Sequence, residues 1–148
     1  MNHIQESFPG LRESEFQVTS PADTGYNCIA WAAGEVRRCW WPDPFDQYYW
    51  PDGAARSGTL DAFVQAFTTI GYERCESEQL EEHYEKAALF VDAAGSPTHA
   101  ARQLRSGRWT SKLGQHVDIE HDLRDLEGEK YGKVAVLLKR ANRTSSRQ

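Results

Sequence analysis

The chain has 148 residues, 39% of them hydrophobic, which suits one domain with a core of useful size. A net charge of -5 argues against a nucleic-acid binder that works by neutralising phosphates. No apolar run approaches the length that spans a bilayer, so a membrane partner is not expected either.

In chain order, residues 1–23 read as an irregular segment with turn signals at Phe8-Pro9-Gly10 and Ser20-Pro21. Glu15 to Thr19 is the one short edge strand within it. The first residues lack the basic and apolar parts of a signal peptide. This predicts a cytoplasmic location, or export without a conventional signal peptide. A helix is expected from Asn27 to Arg38, with Ile29, Ala32, Ala33 and Val36 on its buried face. Residues 40–58 form an aromatic-rich loop, because Pro42, Pro44 and Pro51 forbid a regular helix. Leu60, Phe63, Val64, Phe67 and Ile70 then make the stripe of a second helix, ended by Gly71.

Ser77 to Glu85 reads as a short, exposed, acidic helical segment. Lys86 to Asp92 reads as a buried strand. Thr98 to Leu104 and Arg108 to Leu113 read as two more, joined through Gly107. Asp118 to Glu127 has the pattern of an amphipathic helix capped by Asp118 and ended by Gly128. Lys133 to Lys139 is a last buried strand, and residues 141–148 a flexible tail. The expected architecture is α+β in a single domain spanning 1–148, with a cysteine-bearing helix packed on a mainly antiparallel sheet of about four to five strands.

Chemistry concentrates at two points. Cys28 stands in the first turn of its helix, where unpaired backbone N–H groups and the helix dipole favour a thiolate. His99 opens a sheet strand. A thiolate that attacks a carbonyl, with an imidazole moving the proton, is acyl chemistry. The other cysteines fit this role less well. Cys39 lies among bulky aromatics, and Cys75 lies beside acids that oppose a thiolate. Three cysteines, far apart and without C-x-x-C spacing, make neither a disulfide framework nor a structural zinc site. No two histidines stand four apart, and no glycine-rich phosphate loop or G-x-S-x-G elbow occurs. Neither a metal nor a cofactor is expected.

Asn27-Cys28-Ile29-Ala30-Trp31 at a helix start, followed by Thr98-His99-Ala100-Ala101 at a strand start, resembles the papain-like cysteine hydrolases, in particular the compact bacterial NlpC-like and CHAP-type branch. The resemblance covers roughly residues 24–140. It implies a papain-like fold, hydrolysis or transfer of an amide bond in a peptide or protein, and no cofactor. Peptidase, deamidase and acyltransferase are all compatible with it, as is a role as a bacterial effector.

It also implies a third group that orients His99. Asp118 is the carboxylate best placed for this, with Ser111, Lys112, Gln115 and His121 as alternatives. Pairing the hairpin about Ser106-Gly107 puts Lys112 on the His99 face and Ser111 on the other. The segment just upstream of Cys28, Ala22-Asp23-Thr24-Gly25-Tyr26, has no glutamine to complete an oxyanion hole, so Asn27 or Tyr26 is the expected substitute, with Trp31 and Ser111 as further substrate contacts. The alternative function is a catalytically inactive binding module that presents aromatic residues 40–50 to a protein partner. The sequence is compatible with any oligomeric state.

Overall fold

The computed structural model describes Phe8 and residues 17–20, 25–113 and 117–142. Its core is a seven-stranded sheet. The strands in chain order are β1 (Gln17–Ser20), β2 (Glu73–Cys75), β3 (Tyr84–Val91), β4 (Pro97–Gln103), β5 (Trp109–Lys112), β6 (Asp118–His121) and β7 (Lys133–Ala141). They lie in the order β1-β6-β5-β4-β3-β7-β2, and every neighbouring pair is antiparallel. Two short helices, α1 (Cys28–Ala33) and α2 (Leu60–Thr68), cover one face.

This corrects the expected α+β, papain-like architecture of four to five strands. The protein is mostly antiparallel sheet, and its cysteine-bearing helix has only six residues. Three local causes account for the difference. Gly34 adopts a left-handed conformation (φ 89°) and ends α1 there, well short of Arg38. Glu73–Cys75 pairs with β7 and extends the sheet by one edge strand. Asp118–His121 is a strand between β1 and β5, not a capped helix. Asp118 and Ile119 point to opposite faces and both are fully buried, a period of two that overrides the weaker helical spacing. Only a short 3-10 turn, Leu123–Leu126, follows it.

The expected acidic helix at 77–85 is also absent. A turn with His83 at positive φ leads straight into β3, whose first residues are Tyr84 and Glu85. His83 itself is exposed, as its acidic surroundings suggest. The edge strand near residue 17, both halves of the 97–112 hairpin and the last strand match expectation. β7 runs on to Ala141, into the stretch read as a tail, and residues 143–148 lie outside the described residues.

Each face of the sheet buries its own cluster. The helix-covered face packs Ala87, Leu89, Ala100, Val136 and Leu138 against Ile29, Ala32, Phe63 and Phe67. The far face gathers Ala88, Phe90, Ala101, Trp109 and Ile119 with Leu123 and Leu126. Fully burying a Phe such as Phe63 or Phe67 contributes roughly 2–3 kcal/mol.

The aromatic loop is ordered, and its anchor is Asn27. That side chain accepts from the Ala30 N–H as the cap of α1, accepts from the Trp40 N–H, and donates to the Trp40 carbonyl. Further out, the Asp43 carboxylate accepts the N–H groups of Phe45, Gln47 and Tyr48, which lowers its pKa. The Arg56 guanidinium donates to Asp43 and Asp46.

Gly132 is the position the sheet can least afford to change. It sits at φ 78°, bridged to Gly128, and a Cβ there would lie 1.9 Å from the Val91 carbonyl oxygen. Gly132→Ala is expected to lower stability by about 3 kcal/mol or more, through backbone strain and that clash. Urea unfolding measures it; a loss within about 0.5 kcal/mol would mean that the turn has another conformation of similar energy.

Candidate active site

α1 straddles β4 and β5 and brings Cys28 to the line where these two strands separate. Their pairing consists of Arg102↔Thr110 and Gln103↔Trp109 only. Past Arg102, β4 runs on beside β3 alone, with Ala100 opposite Leu89 and His99 opposite Phe90. The Cys28 sulfur fills this seam. The backbone amides of Ala100, Ile29 and Cys28 itself lie close enough to act on it. Burial pushes its thiol up to about 11, against the opposing pull of those amides and of the Lys112 charge. The resting group is therefore a neutral thiol, not the preformed thiolate that its helix-start position suggests. A six-residue helix with a buried first residue has too weak a dipole to offset desolvation.

His99 sits beside this seam. It is fully buried, its ring lies 4.0 Å from and parallel to that of Tyr131, and it meets Phe90 edge-on at 5.2 Å. Phe8 packs in turn on Tyr131. Neither ring nitrogen of His99 has a hydrogen-bond partner, so Cys28 and His99 are not bonded to each other. Burial, then the neighbouring His121, holds its pKa well below 6.5. Tyr131 lies near both groups: burial raises its pKa, and a thiolate at Cys28 would raise it further.

The expected third residues divide between the two faces. Lys112 and Asp118 are register partners on the helix side. The Lys112 ammonium stands 4.6 Å from the Tyr26 ring centre, and the Tyr26 hydroxyl donates to Asp118 at 2.8 Å. Asp118 is thus tied to Tyr26 and lies across the sheet from His99. Ser111 and His121 lie on the His99 side. The expected assignment of Lys112 to the His99 face is corrected for a definite reason. The hairpin closes with Arg102 opposite Thr110, one residue away from the register centred on Ser106-Gly107. One residue of slip exchanges the faces of every side chain beyond the turn.

Ser111 and His121 form a bonded pair, 2.7 Å from Oγ to Nε2. The His121 Nδ1 lies 2.8 Å from the Asp122 carbonyl, which can only accept, so Nδ1 carries the proton and Ser111 donates to Nε2. Burial lowers the His121 pKa to about 4. Gln115 lies outside the described residues.

The expected oxyanion donors are engaged elsewhere. Asn27 caps α1 and anchors Trp40, and Tyr26 is bonded to Asp118. Trp31 donates from its indole N–H to the Thr110 hydroxyl at 3.1 Å and stacks on Tyr26. Two residues escaped the sequence reading. Tyr131, in a glycine turn, carried no pattern that marked it. Arg102, whose guanidinium lies 4.9 Å from the Trp31 ring centre, was legible from the two-residue period that also places Ala100. No group of three His, Cys, Asp or Glu side chains able to hold a metal ion occurs among the described residues. No described helix is long and apolar enough to cross a membrane.

The model of the DUF7689 family, described as a domain of unknown function, matches residues 17–139, and the chain belongs to that family. No curated protein and no solved structure matches it significantly.

The two buried histidines make stability depend on pH. Both are neutral in the fold and gain protons more readily when unfolded, so the unfolded state binds more protons below pH 6.5. Stability is expected to fall as pH drops from 6.5 towards 4, by up to about 1.4 kcal/mol per pH unit for each histidine. Urea midpoints across that range test it. His121→Gln should flatten the dependence, and an unchanged slope would contradict a neutral buried His121.

Proposed function

We propose that the protein is a cysteine-dependent amide hydrolase or acyltransferase acting on a peptide or protein, with Cys28 as nucleophile and His99 as proton acceptor. One observation carries this reading. A fully buried histidine with both ring nitrogens unpartnered is the strand neighbour of Ala100, whose backbone lies beside the Cys28 sulfur. A histidine kept in a core for packing satisfies at least one nitrogen, because an unpaired buried polar atom costs about 1–3 kcal/mol. His121 does this and His99 does not.

The resting pair is neutral thiol and neutral imidazole. Reaction therefore begins with general-base transfer: the thiol proton passes to His99 as the sulfur bonds to the carbonyl carbon, and His99 returns it to the leaving nitrogen. Water or an acceptor amine then takes the acyl group. His99 must turn towards the seam for the first step, and catalytic hydrogen bonds commonly tighten only in the substrate complex. The backbone N–H groups of Cys28, Ile29 and Ala100, which lie near the sulfur, would donate to a carbonyl oxygen that gains charge beside it. The Lys112 charge favours any anion formed there.

A second reading has its own observation. Phe45 is 79% exposed, Tyr48 47% and Trp41 38%, on a loop whose backbone is firmly tied. Large aromatics held out by an ordered loop suit a binding module with no chemistry of its own.

Alkylation separates the two. Cys28 is expected to react with iodoacetamide at a rate that falls about a hundredfold in His99→Ala, as for loss of a general base. Cys39 and Cys75 serve as internal controls whose rates do not change. Peptide mapping by mass spectrometry reads all three. A Cys28 rate indifferent to His99→Ala would overturn the enzyme reading and leave the binding module.

A further inference from the structure

Arg102 is the one partly buried cation described here for which the fold supplies no acceptor. Its guanidinium lies over the Trp31 ring at 4.9 Å. Its Nε is fully buried and unbonded, and the side chain makes no hydrogen bond or ion pair. Nearby cations are all provided for. Lys86 bonds the Ser77 and Gln79 carbonyls and pairs with Glu81, and Arg140 pairs with Glu85. Tyr72, then Glu85 and Asp118, act on Arg102 without a hydrogen bond to it, Glu85 being committed to Arg140 and Asp118 to Tyr26. Removing a guanidinium from water without a partner is costly, and the position invites an anion.

The place of Arg102 is specific. Ala100 and Arg102 share one face of β4, about 7 Å apart along the strand. The Ala100 backbone lies beside the Cys28 sulfur, and Trp31 lies three residues beyond Cys28 on α1, on the same side of that helix. Strand and helix independently bring Arg102 and the sulfur to one side of the seam. The planar guanidinium fork matches a carboxylate with two parallel hydrogen bonds. A phosphate fits less well. It calls for more donors than one fork, and the Glu85 and Asp118 charges oppose a dianion more than a monoanion.

We infer that Arg102, laid on Trp31 beside Cys28, recognises a carboxylate, and that the substrate of this site is an amide that also carries one. The substrate half of this inference rests on the reading of Cys28 as nucleophile; the carboxylate site does not.

Two measurements on the full chain separate those halves. In the first, glutarate is titrated into the protein and followed by NMR at the Trp31 indole N–H. This resonance is expected to shift to saturation in the wild type, to stay still in Arg102→Gln, and to shift with weaker affinity in Arg102→Lys, which keeps the charge without the fork. A Trp31 signal that does not move, or that moves equally in Arg102→Gln, overturns the carboxylate site whatever Cys28 does. Arg102→Lys decides the same question should Arg102→Gln not fold, since full-strength binding without the fork would also contradict it.

The second measurement compares Cys28 alkylation by iodoacetate and by iodoacetamide. The two reagents form the same S–C bond with loss of iodide and differ in the carboxylate. The iodoacetate-to-iodoacetamide rate ratio is expected to fall about tenfold or more in Arg102→Gln, the loss of one charged hydrogen bond. An unchanged ratio overturns the assignment of a carboxylate substrate to this site. Saturable glutarate binding at a Cys28 that is inert to both reagents would keep the carboxylate site and remove the nucleophile.

Discussion

The arrangement depends on β4 losing its partner on one side. From Pro97 to Ala101 the strand is paired with β3 but not with β5. Unsatisfied strand amides inside a protein are costly, and something must meet them. The first residue of α1 fills that place, with its sulfur beside the Ala100 backbone. That contact marks where α1 enters the sheet. α1 in turn fixes Asn27, and Asn27 fixes Trp40 and the base of the aromatic loop. A single strand separation thus connects the core of the domain to its most exposed aromatic residues.

The same seam gives the two faces different electrostatic characters. The helix side holds a buried cation, Lys112, against Tyr26 and Asp118, with Arg102 stacked on Trp31 further along. The far side holds two neutral histidines among apolar and aromatic side chains. Charge developing at the sulfur would meet a cation-bearing wall on one side and a proton acceptor on the other. A resting state with neither thiolate nor imidazolium is what desolvation dictates there.

The elements with strong periodicity were legible in the sequence. Leu60, Phe63, Val64 and Phe67 marked α2, and the apolar runs around Leu89 and Val136 marked β3 and β7. The hairpin strands were legible too, but their register was not. A five-residue connection admits two closures one residue apart, and the choice moved Lys112 and Ser111 to opposite faces. Asp118-Ile119-Glu120-His121 misled because an acid before an apolar residue reads as a helix cap, whereas burial between β1 and β5 makes it a strand. Of the site, Cys28 and His99 were visible as residue types in a suggestive order. The protonation state of Cys28 was not visible, because it is set by burial that only the tertiary fold creates.

The central claim is that Cys28 and His99 act together across the seam. The most direct test is the crystal structure of the hemithioacetal that a peptide aldehyde forms on Cys28, in which the sulfur bonds to the carbonyl carbon. The account predicts a His99 ring nitrogen at about 2.6–3.2 Å from the adduct's oxygen or sulfur. An adduct with His99 still flat on Tyr131 and both nitrogens unpartnered, or no adduct on Cys28 at all, would contradict it.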